Sequence, residues 1–175
     1  MQVPSKSLLL VVRLWLMVKR PWTAYWTAYW DQRYVGQYKP RKTVEKEIKH
    51  WWQRYNTVGD YYYTMFGTLV ILVSDLGDWR YNYVIKYHEK TEVPQAWHAG
   101  ITFREVDEFD LAYEAKRAPG DTSEAGDDPD CPYYAFHQDA MEKERDLTRR
   151  LDVDPDDVQE KIDELMTARE SWGLD

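Results

Sequence analysis

The hydrophobic pattern of the chain is dominated by one uncharged stretch, Tyr61 to Ser74, followed by a second aromatic group that ends at Tyr87. The 14 residues of this stretch would form a helix of about 21 Å, shorter than a hydrocarbon core of about 30 Å. Between its aromatic ends, Tyr62 and Tyr81, a helix would rise about 28 Å, and aromatic rings prefer the two membrane–water interfaces. This spacing predicts one short membrane-spanning helix with an aromatic belt at each end. Run length alone also fits a buried core helix or strand.

Elsewhere the periodicity predicts helices and little or no β structure. The predicted helices are Lys39 to Arg54, Asp107 to Arg117, Asp139 to Leu151 and Pro155 to Trp172. Trp97 to Val106 is predicted as a short extended segment, and residues 119–132, rich in Gly, Asp and Pro, as a loop. Asp154 suits the N-cap and Pro155 the first position of the last helix. The last two helices are therefore predicted to form a helical hairpin.

The N-terminal region is basic and aromatic. Ser7 to Val18 is apolar except for Arg13, and no acidic residue comes before Asp31, a pattern typical of a targeting segment or an interfacial helix. Further on, tryptophans recur every fourth residue and would form one helical stripe. They are Trp22, Trp26 and Trp30. Such rings can stack nucleotides, but a helix lying against lipid or a partner protein is the favoured interpretation.

Charge is divided unevenly along the chain, whose net charge is −8. Residues 1–58 hold 11 Lys/Arg and 3 Asp/Glu, whereas residues 59–175 hold 12 Lys/Arg and 28 Asp/Glu. The positive-inside rule would place the basic arm on the matrix or cytoplasmic side of a membrane. Asp75 and Asp78 would then lie at the interface on the acidic side or meet a protein partner, and Asp75 with Arg80 would be the best candidate for a polar pair.

Residues 50–90 resemble subunit f of mitochondrial ATP synthase in the order and type of their segments. The matching pieces are Trp52-Gln53-Arg54-Tyr55-Asn56, the apolar Met65 to Val73, and the Tyr-rich stretch from Tyr81 to Lys90. Two features depart from that family: Asp75 and Asp78, and the acidic extension that follows. The resemblance implies a non-catalytic scaffold within an energy-transducing membrane assembly.

The residues that commonly carry chemistry form no recognisable motif. His50, His88, His98 and His137 share no metal-ligand spacing with each other or with Cys131. A glycine-rich phosphate loop, a nucleophile elbow and an HExxH sequence are all missing. The single cysteine leaves no internal disulfide. These observations predict no catalytic, cofactor-binding or metal-binding residues, no cofactor, and a protein that is not an enzyme.

The predicted hairpin at the C-terminus also has the spacing of a helix-turn-helix. That motif reads DNA with its second helix. Here the second helix carries five acidic residues between positions 156 and 164, against Lys161 and Arg169. Because affinity for DNA depends on basic groups that neutralise phosphate, docking on a protein neighbour is favoured over nucleic acid.

Together these patterns predict a mainly α protein built around a short transmembrane helix. The expected parts are a basic aromatic arm (1–58), the membrane-spanning helix (59–90), a loop-rich acidic segment (91–138) and the helical hairpin (139–175). The residues expected to contact the membrane or partners are Trp22, Trp26, Trp30, Tyr62, Tyr63, Asp75, Asp78, Trp79, Arg80 and Tyr81.

The predicted function is that of a structural accessory subunit of a mitochondrial inner-membrane complex, with its arm on the matrix side. Its expected partners are other subunits of that complex and lipid, which could be anionic, at the arm. Two alternatives stay open at this point: a soluble structural or assembly protein such as a virion component, and a helix-turn-helix nucleic-acid binder.

Overall fold

The computed structural model describes residues 40, 42–64 and 67–171, which form a mixed α/β fold of three strands and four α-helices. The strands are β1 (Lys42–Ile48), β2 (Gly59–Tyr63) and β3 (Thr68–Ser74). The helices are α1 (Trp79–His98), α2 (Phe103–Glu114), α3 (Tyr134–Leu151) and α4 (Pro155–Ser171). The prediction of a mainly α protein with little or no β structure was therefore wrong.

The three strands form one sheet in the order β1-β3-β2, with β1 parallel and β2 antiparallel to the central strand β3. Every residue from Leu69 to Ser74 is buried. A strand covered on both faces reads in sequence as a continuous apolar run. The apolar run from which a helix was predicted is therefore the central strand of the sheet.

A tight turn separates β2 from β3 and ends any helical continuity there. The amide of Gly67 donates to the carbonyl of Thr64 at 2.9 Å, and Gly67 has a φ of 73°, which glycine adopts without steric cost. The turn folds the strands back so that Tyr61 lies opposite Ile71. The predicted helix from Tyr61 to Tyr83 is therefore replaced by a hairpin and the start of α1.

No helix in the described part of the chain combines the length and the apolar content that a membrane crossing requires. The predicted transmembrane helix with aromatic belts was wrong. The mitochondrial inner-membrane location predicted from that helix was wrong with it.

Two further boundaries differ from the predicted ones. The segment predicted as a helix from Lys39 to Arg54 contains the exposed edge strand β1 and a short 3-10 helix at His50–Trp52. Helix α1 continues through Pro94 to His98, and α2 begins at Phe103, so that Trp97 to Val106 is not an extended segment.

Helix α1 begins with a capped N-terminus and buries one of its faces. Asp78 is its N-cap and accepts a hydrogen bond from the amide of Arg80 at 2.8 Å. Three positions spaced by three or four residues, Ile85, His88 and Glu92, are buried. Because such positions share one face of a helix, α1 carries a polar patch into the interior beside its apolar contacts.

Helices α3 and α4 lie close to where the sequence predicted helices, at Asp139 to Leu151 and Pro155 to Trp172. Asp154 accepts from the amide of Asp156 at 3.0 Å, as the predicted N-cap should. Arg169 of α4 is fully buried and donates to the carbonyl oxygens of His50 at 3.0 Å and Gln53 at 3.3 Å. These bonds fasten the last helix to the segment that follows β1.

Candidate metal centre

Helices α1 and α3 pack against each other and bring together three buried side chains that can bind a metal: His88, Glu92 and His137. Oε2 of Glu92 lies 2.8 Å from Nδ1 of His137 and 3.3 Å from Nε2 of His88. The two ring nitrogens are 3.1 Å apart. Two residues come from one face of α1 and the third from the first turn of α3.

The spacing of these three atoms suits a single transition-metal ion. Zinc binds histidine nitrogen and carboxylate oxygen at about 2.0–2.2 Å. With mutual separations of 2.8, 3.1 and 3.3 Å, one ion at that distance from all three would lie roughly 1 Å to one side of their plane. Such an ion would lie within bonding distance of all three atoms.

The outer nitrogen of each histidine faces a carboxylate. Nδ1 of His88 is 2.9 Å from Oε2 of Glu144, and Nε2 of His137 is 3.5 Å from Oδ1 of Asp127. Histidines that bind metals almost always present their second ring nitrogen to such a partner, which fixes the tautomer and the ring orientation. At 3.5 Å, Nε2 of His137 makes no hydrogen bond, although His137 is only 3% exposed.

The carboxylates also control the protonation of the two rings. Burial disfavours the charged form, but the hydrogen bonds that the ring donates to Glu144 and Glu92 hold the pKa of His88 well above its usual value. For His137, burial is likewise outweighed by Asp127 and Glu92, and its pKa rises to about 10. Two imidazolium rings would direct N–H groups at each other across 3.1 Å. A cation that accepts the lone pairs of both nitrogens removes this conflict.

Two glycines allow the close approaches on which the site depends. A Cβ at Gly126 would lie 2.4 Å from Nδ1 of His137, the atom that faces the other ligands. A Cβ at Gly59 would lie 2.2 Å from Oε1 of Glu89. Both distances are far below van der Waals contact, so any larger residue would displace these side chains.

Glu89 and Glu124 are half-buried carboxylates beside the cluster, and both line the adjoining cavities together with His88 and His137. Burial and the neighbouring Glu92 raise the pKa of Glu89 well above its usual value. Burial also raises the pKa of Glu124. Within the described residues neither side chain forms a hydrogen bond or ion pair, so both are available to a ligand.

A cleft of about 540 Å³ opens beside the cluster. Its walls come from the segment before β2, from helices α1, α3 and α4, and from the loop at residues 120–127. Ligand sites typically measure about 300–1,000 Å³, so a small molecule or a single extended side chain can reach His88 and His137 from this cleft, while Glu92 lines the smaller neighbouring cavity.

A second, smaller cavity of about 50 Å³ adjoins the cluster, and a buried polar network supports its wall. Asp110 accepts hydrogen bonds from the hydroxyl groups of Tyr133 at 2.5 Å and Tyr55 at 2.9 Å. Burial raises the pKa of Asp110 to about 7 against those two bonds. Nearby, Arg54 binds Asp60 at 2.7 Å and Asp107 at 2.5 Å. These contacts tie α2 to β2 and to the start of α3.

The residues predicted from sequence as membrane or partner contacts do not meet at one place. Asp75 and Asp78 precede α1 rather than sharing a helical face, and they bind Lys49 and Arg80, each at 2.6 Å. The predicted Asp75–Arg80 pair is therefore not formed. The aromatic members include Trp79, which is 67% exposed. The half-buried aromatic members are Tyr62, Tyr63 and Tyr81. Trp22, Trp26 and Trp30 lie outside the described residues.

No metal ligand was predicted from the sequence, because the spacing of residues along the chain does not show that His137 comes close to His88 in the fold. One sequence pattern does point to the site. Residues 88–92 read His-Glu-Lys-Thr-Glu, which is the HExxH arrangement with a glutamate in place of the second histidine. On a helix, the first and fifth positions share a face and the second lies beside it.

No protein-family model, curated protein or solved structure matches this chain. The resemblance of residues 50–90 to subunit f of ATP synthase therefore stays a prediction from those residues alone.

Proposed function

We propose that this protein is a metal-dependent hydrolase with a single zinc ion held by His88, Glu92 and His137. The observation that carries the proposal is the convergence of three lone-pair atoms on one point between α1 and α3. The two carboxylates behind the histidine rings support it further. The sequence-based expectation of a non-catalytic subunit is the alternative, and it stays a prediction.

The number of ligands favours a catalytic over a structural ion. Structural zinc sites are usually closed by four protein ligands, whereas catalytic sites have three and leave a position for water. Two histidines and one carboxylate form a catalytic set of this kind. The cleft beside the cluster gives water and substrate access to the open position.

Glu89 is the residue best placed to act as the general base. It follows the ligand His88 directly, lines both cavities and is free of protein partners among the described residues. A metal ion held by His88, Glu92 and His137 would supply Lewis-acid activation of a water and of the carbonyl group of an ester or amide. The carboxylate of Glu89 would take up the proton that this water loses as its oxygen adds to the carbonyl carbon. When the bond to the leaving group breaks, the leaving oxygen or nitrogen keeps the electron pair and receives that proton from Glu89.

Metal binding is the first test of this function. The purified full chain, stripped with a chelator and titrated with Co²⁺ or Zn²⁺, is expected to bind one ion, and bound Co²⁺ should show the visible spectrum of a low-coordinate site. Glu92→Gln and His137→Ala should lose this binding. His98→Gln, at the exposed end of the same helix, should keep it. A wild-type chain that takes up no ion would disprove the proposal.

The catalytic role of Glu89 is tested separately. Glu89→Gln should bind the ion as the wild type does and should lower kcat by about 10²–10⁴-fold on any ester or peptide substrate that the wild type cleaves. A chromogenic ester and a mixed set of fluorogenic peptides are the starting substrates. Equal rates for Glu89→Gln and the wild type would exclude this residue as the base.

A further inference from the structure

The cleft beside the metal centre has walls of one charge sign. Six carboxylate side chains line it, and within the described residues no Lys or Arg does. The acidic residues are Glu89, Asp121, Glu124, Asp127, Glu144 and Asp163. A divalent cation bound by the cluster offsets only part of this charge. Low-dielectric walls of one sign concentrate the field inside a cleft and attract a ligand of the opposite sign.

Most of these carboxylates already have a role. Glu144 and Asp127 face the outer nitrogens of the two histidines. Asp121 accepts hydrogen bonds from the amide of Ser123 at 2.9 Å and from its hydroxyl at 2.6 Å, and Asp163 accepts from Gln159 at 3.0 Å.

Glu124 differs from the others because its side chain has no hydrogen-bond or ion-pair partner in the part of the chain that the structure describes, and it has no proposed role at the metal. It lines the cleft and the smaller cavity, so it faces both the ligand space and the cluster. A half-buried carboxylate without a hydrogen-bond or ion-pair partner is stabilised by a cationic group that enters with the ligand.

We propose that the substrate of this site carries an ammonium or guanidinium group, which Glu124 binds while the bond to be cleaved lies over the metal. This inference rests on the proposed function for the reaction, but the binding preference can be measured without it. The shared chemistry is a nitrogen cation on a chain short enough for a cleft of about 540 Å³. A basic side chain of a peptide and a free polyamine both provide such a group.

The test compares matched probes on the full chain, once without metal and once loaded with Zn²⁺. Acetyl-arginine amide and its neutral isostere acetyl-citrulline amide differ in the charge of one planar group, and spermidine stands for the free amine. We expect the arginine probe to bind about tenfold or more tightly than the citrulline probe, because hydrogen bonds to charged groups are the stronger ones. The comparison between spermidine and the arginine probe distinguishes a free amine from a peptide side chain.

The variant Glu124→Gln should remove most of that preference and leave the citrulline affinity and the metal stoichiometry as in the wild type. Glu160→Gln, an exposed carboxylate of α4 outside the cleft, should behave as the wild type does. Equal affinity of the wild type for the two amides would overturn the inference even if Glu124→Gln failed to fold. An equal loss of the preference for the arginine probe in Glu124→Gln and Glu160→Gln would overturn the inference as well. A chain that binds no metal but prefers the arginine probe would disprove the hydrolase and leave the cation site standing.

Discussion

At the scale of single residues, the candidate centre depends on two positions where the backbone must come close to a functional side chain. Gly126 touches the ring of His137, and Gly59 touches the carboxylate of Glu89. Gly126 therefore leaves room for the candidate metal ligand His137, and Gly59 leaves room for the proposed base Glu89. Substituting each glycine in turn should separate metal binding from catalysis.

We predict that Gly126→Ala weakens metal affinity by about 10–100-fold, the size of effect seen when a ligand's orientation is lost. The added methyl group overlaps the His137 ring, which cannot move without leaving Glu92 and His88. Gly59→Ala is the matched variant, since its methyl group meets the flexible end of Glu89 instead. It should bind the metal normally and lose catalytic rate. Metal titration of both variants checks the prediction, and an equal loss of metal affinity in the two would contradict it.

Only some residues of the site could be predicted from the sequence. His88, Glu89 and Glu92 form a local pattern that could be read from five consecutive residues. His137 could not be found in this way, because it is 49 positions away from His88 and only the packing of α3 on α1 joins them. The carboxylate of Asp127 comes from a loop with no apolar periodicity, so nothing in the sequence pointed to its position.

At the scale of elements, the C-terminal helices were predictable because their caps and apolar spacing are local. The sheet was missed because its central strand is buried on both faces, and such a run has no alternation to distinguish it from a helix. Gly67 is the residue that indicates a break in this run, since it belongs to the turn that separates the tyrosines of β2 from the aliphatic residues of β3. The β-branched Val and Ile residues of the run also favoured a strand.

A buried ion pair joins α2 to the segment that precedes β2, and we predict that it is important for stability. Asp107 of α2 lies 2.5 Å from Arg54 with little access to water. Asp107→Asn should lower the free energy of unfolding by about 2–3 kcal/mol, because a buried guanidinium loses one of its two compensating charges. Glu108→Gln, which removes an exposed pair with Arg104 on the same helix, should cost less than about 1 kcal/mol. Urea unfolding of both variants is the measurement, and equal losses would contradict the prediction.

At the scale of the whole molecule, His50 on the one hand and the pair His88 and His137 on the other make stability depend on pH in opposite directions. His50 is buried against Ser74 and Asn56, and burial together with Arg169 lowers its pKa to about 4. Since this value lies below the ordinary 6.5, the fold favours the neutral ring. Its contribution is fully present above pH 6.5 and is lost as the pH falls toward 4. The raised pKa values of His88 and His137 act the other way: their contributions are present below pH 6.5 and are lost as the pH rises through the folded-state pKa.

We predict that the wild type loses about 3 kcal/mol more unfolding free energy than His50→Gln when the pH falls from 6.5 to 4, because only the wild type carries this titration. Both proteins retain His88 and His137, so the contributions of those residues cancel in the difference. His98→Gln, which replaces an exposed histidine, should follow the wild-type curve. Parallel curves for His50→Gln and the wild type would show that the ring is not held neutral. Denaturant titrations across this pH range provide the comparison.

The way the candidate ligands are distributed between α1 and α3 has a kinetic consequence. The three candidate ligands meet only after the chain between positions 92 and 137 has closed, and the entropy of closing that loop is lost before the contact can repay it. An ion that binds only the finished arrangement leaves the rate of folding nearly unchanged and slows the reverse step. Its main effect would then be on the lifetime of the native state, which governs survival against proteases that outpace reclosing. With the folding rate unchanged, the lifetime of the loaded protein would rise by the same factor as its folding equilibrium constant.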